Sequence, residues 1–174
     1  MHIIYPKKTA SDWHETCLVI GMNSIETTLK ELGYQLPPPP QPGGHYLPYR
    51  ISGNQLFISG VIAIRNGVMT HIGQAGKEMS VQDGYEAAQV CALNVLAGIF
   101  GALGSLDRVT QFLYVGGYVN AISGFDQSPQ VINGASDLFV QIYGDRGQHA
   151  RAAVAVAGLP KNSTVEIQSI VEFT

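Results

Sequence analysis

The residues best suited to chemistry lie near the end of the chain, in the stretch HARAAVAVAGLPKNSTVEIQSIVEF that runs from His149 to Phe173. Arg151 opens a run of small apolar residues that alternates in type. Ala152, Val154 and Val156 share one face of a strand; Arg151, Ala153, Ala155 and Ala157 share the other. The valine face is expected to be the core face. The alanine face leaves space above the sheet, and Arg151 is its single long side chain. A guanidinium beside open volume can grip an anion, or it can simply end a strand with its head in water. Glu166 opens the next run, with Gln168, Ile170 and Glu172 on its face and Val165, Ile167, Ser169, Val171 and Phe173 on the other. A glutamate there is either solvated or, if it shares a cleft with Arg151, placed to handle a proton. Parity does not fix the pairing of these two runs.

The other candidate motifs carry less. No dinucleotide or phosphate-loop glycine spacing follows any strand pattern, and GQAGKEMS reads as a loop. There is no nucleophile elbow. Ser59, at a strand end before Gly60, has no partner base in the sequence, which predicts a structural serine. Cys17 and Cys91 make neither a disulfide framework nor a metal pair, and Cys91 falls inside a helical pattern where burial is expected. The five histidines show no metal spacing, and no cofactor motif is present.

Composition narrows the class further. With 174 residues, one main domain with a sizeable core is expected. Only 13% of residues are charged, against about 25% in typical chains, which predicts subunit contacts that bury further surface. A net charge of −3 without a basic run argues against nucleic acid as partner. The longest apolar stretch, 90–103, is shorter than the ~20 residues of a membrane span. Lys7 and Lys8 are followed by Asp12, His14 and Glu15 where a signal peptide needs apolar residues. A cytoplasmic protein away from membranes is the expectation.

These residues must be positioned by a recognisable series of elements. Asn23 and Glu26 predict the start of a short helix ending at Gly33. The run LPPPPQPGG, 36–44, reads as an extended spacer and separates an N-terminal arm, 1–43, from a domain over 44–174. Two strands flank Gly53-Asn54, with Leu56, Ile58 and Val61 directed inward, and RNGV at 65–68 predicts a tight turn. Ser80 and Asp83 cap a helix running to Leu103, with Gly104 as its stop. A strand over 109–119 contains Gly116-Gly117, a bulge or a close approach. Ser128-Pro129 predicts a helix start, with Val131, Leu138, Val140, Ile142 and Tyr143 as its apolar surface. Two closing strands give the order ββ-α-β-α-ββ, an α+β sheet with its helices on one face.

The stretches GHYLPYRISGNQLFISG, MSVQDGYEAA and above all HARAAVAVAGLPKNSTVEIQ resemble the RidA/YjgF family of reactive-intermediate deaminases, also called endoribonuclease L-PSP and chorismate-mutase-like. The resemblance covers about residues 44–174, and GFDQSPQVINGASDLF is similar to a longer-chain branch. It implies the chorismate-mutase-like fold with two long helices on one face of the sheet. It also implies a homotrimer with clefts between subunits, and hydrolysis of 2-imino or enamino acids to 2-oxo acids and ammonia without metal or organic cofactor. Arg151 matches the arginine that holds the substrate carboxylate and Glu166 the glutamate that positions water. Tyr46 falls at the family's tyrosine before the first strand, and Ser59 and Gly60 at its pocket wall. Val61 stands where glutamine is common, Ala153 where cysteine is frequent, and Gln168 where a second glutamate is usual, which points away from 2-aminoacrylate and toward a bulkier acid.

Two other functions compete with deamination: a non-catalytic trimer that binds small carboxylates, and a ribonuclease, which the acidic balance makes the weakest of the three. Residues 1–21 are expected to be an upstream extension to a unit beginning near Met22; the alternative is an arm that packs through Ile3, Ile4, Tyr5 and Trp13.

Overall fold

The computed structural model describes residues 24–39, 41 and 44–174. The expectations for residues 1–21, for Cys17 and for Asn23 as a cap lie outside them. The first described helix, α1 (Ile25–Glu31), is capped by Ser24, whose side chain accepts from the Thr27 amide. Glu26 does not close a capping box. Its carboxylate accepts from the Leu106 amide at 2.8 Å, while Asp107 accepts from the Ile25 amide at 2.8 Å. Each helical start thus satisfies an orphan amide of the other, and Ile25 and Leu29 are buried in the common core.

Strands β1 (Tyr49–Ser52) and β2 (Gln55–Ile62) form the expected hairpin around Gly53-Asn54. A small second hairpin follows, β3 (Ile64–Arg65) and β4 (Val68–Met69), turned by Asn66 and Gly67, both at positive φ. The glycine-rich stretch over 73–79 is a loop, closed by Glu78 accepting from the Gln74 amide at 2.9 Å. Helix α2 (Val81–Leu103) has the predicted capping box from Ser80 and Asp83 and ends on left-handed Gly104. By length and composition it could cross a membrane, but in the fold it is the mostly buried central helix. Cys91 lies on it, wholly buried, with its thiol pushed well up by burial and donating to the Val165 carbonyl at 3.5 Å.

After a 3₁₀ turn (Leu106–Arg108) come β5 (Val109–Asn120), α3 (Ser128–Tyr143), β6 (Ala150–Val156) and β7 (Val165–Phe173). Ser128 is the first residue of α3 and Gln127 its cap, one position from the expected start. On this helix Val140 is exposed, not part of the apolar face. Helices α2 and α3 pack together and cover one face of the sheet. Gly134 marks a close approach between them: a Cβ there would collide with the Tyr85 carbonyl oxygen.

The sheet order is β1-β2-β7-β5-β6. The two closing strands are therefore not neighbours. β7 runs antiparallel between β2 and β5, and β6 lies at the far edge, parallel to β5. In β5, Gly117 marks a close approach rather than a bulge, since Ile132 of α3 occupies the space a side chain would need. Val109–Gln111 and Phe112–Tyr114 carry the irregularities of that strand instead.

Candidate functional site

The bulge in β2 organises the first half of the site. Ile58 pairs with Ser169 and Val61 with Ile167, so β2 holds one residue more than β7 across this interval. The extra residue lets Leu56, Ile58 and Val61 all point inward, as predicted, although strict alternation would turn Val61 outward. It also presents Ser59 and Gly60 on the uncovered face. Ser59 is structural: its hydroxyl donates to the Leu47 carbonyl at 2.7 Å and its amide to the Pro48 carbonyl at 3.0 Å. These bonds hold the segment containing Tyr46, a residue 51% exposed, against the bulge.

Glu166 comes from the adjacent strand and lies flat on Gly60. A Cβ at position 60 would collide with Glu166 Oε1, so only glycine admits the carboxylate in this position. Glu166 is half-buried, and the lost hydration raises its carboxyl above the ordinary value. A carboxyl raised in this way exchanges protons more readily toward neutral pH.

Arg151 is placed differently. The valine face of β6 is not the core face: Val154 is 44% exposed, while Ala153 packs against the core beneath α3. The reason is that helices cover the face on which Arg151 lies. Arg151 pairs with Val115, which is buried, and Val115 pairs with Ser169, also buried. The alanines thus make room for α3, and Arg151 emerges at the sheet edge beside it. One nitrogen, Nη1, donates to Asn133 Oδ1 at 2.9 Å and to Ser136 Oγ at 3.0 Å, both on α3. That uses both N–H bonds of Nη1. The Nε and Nη2 edge, with two parallel N–H bonds, makes no hydrogen bond among the described residues, and the side chain is exposed. This edge is the geometry that takes a carboxylate in two hydrogen bonds.

The five residues expected at the site therefore form two groups. Ser59, Gly60 and Glu166 gather at the β2 bulge on the uncovered face, with the segment after Tyr46 bonded to Ser59, and Arg151 stands at the β6 edge on the helix face. Glu166 pairs with Tyr118, and Tyr118 with Val154, all on the uncovered face. Arg151 and Glu166 are two strands apart and three positions out of line, about 14 Å between backbones at ordinary sheet spacings. Within one chain they do not share a cleft. Asn133, Ser136 and His149 were not anticipated as site residues. Their signal was present: Asn133 and Ser136 lie three apart on one helix, and His149 has the strand parity of Arg151.

A family model described as "YjgF/chorismate_mutase-like, putative endoribonuclease" matches residues 26–173. The chain belongs to the YjgF/chorismate-mutase-like family. The matched stretch takes in α1 as well as the sheet and both long helices. Protein TCP17 of Trypanosoma cruzi is 39% identical over 158 residues, covering 89% of this chain and 98% of its own. The crystal structure of Atu1372, a protein of unknown function from Agrobacterium tumefaciens, aligns with a TM-score of 0.82 and 37% identity over 95% of this chain and all of that one. RidA from an Antarctic Psychrobacter aligns with a TM-score of 0.55 and 27% identity, covering 78% of this chain and 94% of that chain.

Proposed function

We propose that this protein hydrolyses 2-imino or enamino acids to 2-oxo acids and ammonia, at a site made where two copies of the chain meet in a homotrimer. The observation that carries this reading is the free edge of Arg151, fixed by α3 at one side of the sheet, together with a desolvated glutamate on Gly60 at the other. In a ring of copies, the β6 edge of one chain can face the bulge of the next and join the two groups. The uncovered sheet face supplies a surface for such an assembly: Phe57, Ile170, Tyr114 and Val154 lie on it, and Phe57 is 39% exposed.

The chemistry then follows from the groups. Arg151 holds the substrate carboxylate through its Nε and Nη2 edge. Glu166 takes a proton from a water as that water adds to the imine carbon. That proton passes to nitrogen and leaves a carbinolamine; Glu166 then takes the hydroxyl proton as the C–O bond becomes a carbonyl, the proton is delivered to nitrogen, and the C–N bond breaks with its electron pair on nitrogen to release ammonia. No redox partner is needed in this balance.

The decisive measurement is ammonia release from imines generated by an amino-acid oxidase, with and without the protein, across several side-chain sizes. Acceleration that is lost in both Arg151→Ala and Glu166→Gln supports the reading; no acceleration with any side-chain class overturns it. One observation favours a second reading, a non-catalytic binder of small carboxylates: the arginine grip is complete in a single chain, whereas the glutamate stands elsewhere. That reading expects saturable 2-oxo acid binding lost in Arg151→Ala and no turnover.

A further inference from the structure

His149 lies two residues before Arg151 and touches the same helix. Its Nδ1 is 2.7 Å from the Gly147 carbonyl oxygen and its Nε2 is 3.0 Å from Ser136 Oγ. A carbonyl oxygen can only accept, so Nδ1 carries the ring proton. In the neutral ring Nε2 is then an acceptor, and the proton of Ser136 points to it. The hydroxyl has one proton, so this assignment turns the lone pairs of Ser136 Oγ toward Arg151, which donates to it from Nη1 at 3.0 Å. Burial favours the neutral ring and lowers the His149 imidazolium below its usual range; the Gly147 carbonyl opposes this by favouring the charged ring, and the Arg151 charge acts with burial. The ring itself is wedged edge-on against Phe139, with Phe112 beside it.

The chain of donors therefore has a direction: Arg151 to Ser136, Ser136 to His149, and His149 to a backbone carbonyl that cannot move without moving the turn at the end of α3. Asn133 completes the clamp on the second N–H of Nη1. Without His149 the Ser136 hydroxyl would still accept from the guanidinium, but its own proton would lose its fixed acceptor and the oxygen would be free to swing about its Cα–Cβ bond, loosening the hold on Nη1.

We infer that Ser136 and His149 are positioning residues for Arg151: His149 sets the direction of the Ser136 hydroxyl, and Ser136 with Asn133 locks Nη1 so that the opposite edge of the guanidinium is offered to a carboxylate ligand. The inference rests on the reading of Arg151 as a carboxylate anchor, but its first test needs no ligand.

That test is nitrogen NMR of the Arg151 guanidinium in the full chain, reading rotation about the Nε–Cζ bond. Wild type is expected to show hindered rotation, and both Ser136→Ala and His149→Phe to release it, by about tenfold for the loss of a charge-assisted hydrogen bond. His149→Phe keeps an aromatic ring beside Phe139 but cannot accept from Ser136. Because His149 acts through Ser136, the double variant should match Ser136→Ala alone. His149→Gln, which can again accept from the hydroxyl, should restore part of the restraint, and Ser136→Ala carries the test if the phenylalanine variant fails to fold. Free rotation in wild type overturns the inference. So does Ser136→Ala or His149→Phe behaving as wild type, or a His149 variant that adds its whole effect in the Ser136→Ala background. Pyruvate titrated calorimetrically into the same proteins should show the same pattern, weakened about tenfold in each single variant and no further in the double. A locked guanidinium in a wild type that binds no pyruvate would count against the carboxylate reading and leave the positioning role standing.

Discussion

Gly60→Ala gives the sharpest test of the glutamate. The added methyl would collide with Glu166 Oε1 and lie 3.0 Å from its carboxyl carbon, whereas nonbonded carbon atoms in contact need roughly 3.5 Å or more. The backbone at 60 is not in the left-handed region, so alanine is conformationally acceptable there. The strain is relieved by swinging the end of a flexible side chain, so the fold should survive with little change in melting temperature. The carboxylate, however, must move by an ångström or more from the position in which it would hold water. A misplacement of that size typically costs about a hundredfold in rate, or roughly 2.7 kcal/mol in the barrier. Because a methyl at position 60 meets only Glu166, while Arg151 is held by Asn133 and Ser136, the grip on a carboxylate should be untouched. The expected result in the ammonia-release assay is therefore a kcat lowered about a hundredfold, with 2-oxo acid affinity and melting temperature unchanged. A variant with wild-type kcat would show that the placement of Glu166 on Gly60 has no part in turnover.

Other outcomes follow from the same geometry. Arg151→Lys keeps the charge but loses the planar edge left free by α3, so kcat/KM should fall at least about tenfold, or about 1.4 kcal/mol; equal efficiency would remove the two-bond grip. His149 has a folded pKa below its ordinary 6.5, chiefly from burial, and His71 is shifted the same way by burial. Each contributes stability that is present above the unfolded value and lost as pH falls through the folded one, so the melting temperature should drop as pH is lowered from neutrality, and His149→Gln should flatten part of that slope. Glu166 acts oppositely: its raised carboxyl costs stability when ionised, a cost relieved as pH falls through its folded pKa, so Glu166→Gln should raise the melting temperature at neutral pH. At Gly134, alanine would collide with a backbone carbonyl rather than a mobile side-chain end, so Gly134→Ala should lower stability by several degrees, read as melting temperature.

Local signals in the chain were sufficient for most elements and for the family. Ser80 with Asp83, Gly104, and Asn66-Gly67 each satisfy backbone groups within a few residues, and the structure uses them where expected. The cap of α1 was harder because Glu26 finds its partner at Leu106, far away in sequence. The face of β6 was inverted for a related reason. Alternation tells which residues share a face but not which face the helices cover, and an edge strand of alanines and valines is apolar on both sides. Val61 shows the converse: its inward direction was legible, but the bulge that makes it inward depends on pairing with β7. Arg151 and Glu166 were legible as residue types with a family match, whereas the clamp of Asn133, Ser136 and His149 required the docking of α3 on the sheet.

The separation of Arg151 from Glu166 constrains what a single chain can do. A carboxylate needs only the free guanidinium edge, which is formed by β6 and α3 of the same chain. Hydrolysis by the proposed route needs the glutamate as well, and that group lies across the sheet on the other face. Binding and turnover should therefore depend differently on assembly. A substitution that introduces charge on the uncovered face away from both groups, such as Phe57→Glu, opposes close packing of copies while leaving the clamp on Arg151 intact. If the two groups meet between copies, that variant should lose oligomeric mass and ammonia release together and keep 2-oxo acid binding. Retained turnover in a protein shown by light scattering to be monomeric would require water to be activated by a group on the Arg151 side of the sheet, and the shared site with Glu166 would have to be abandoned.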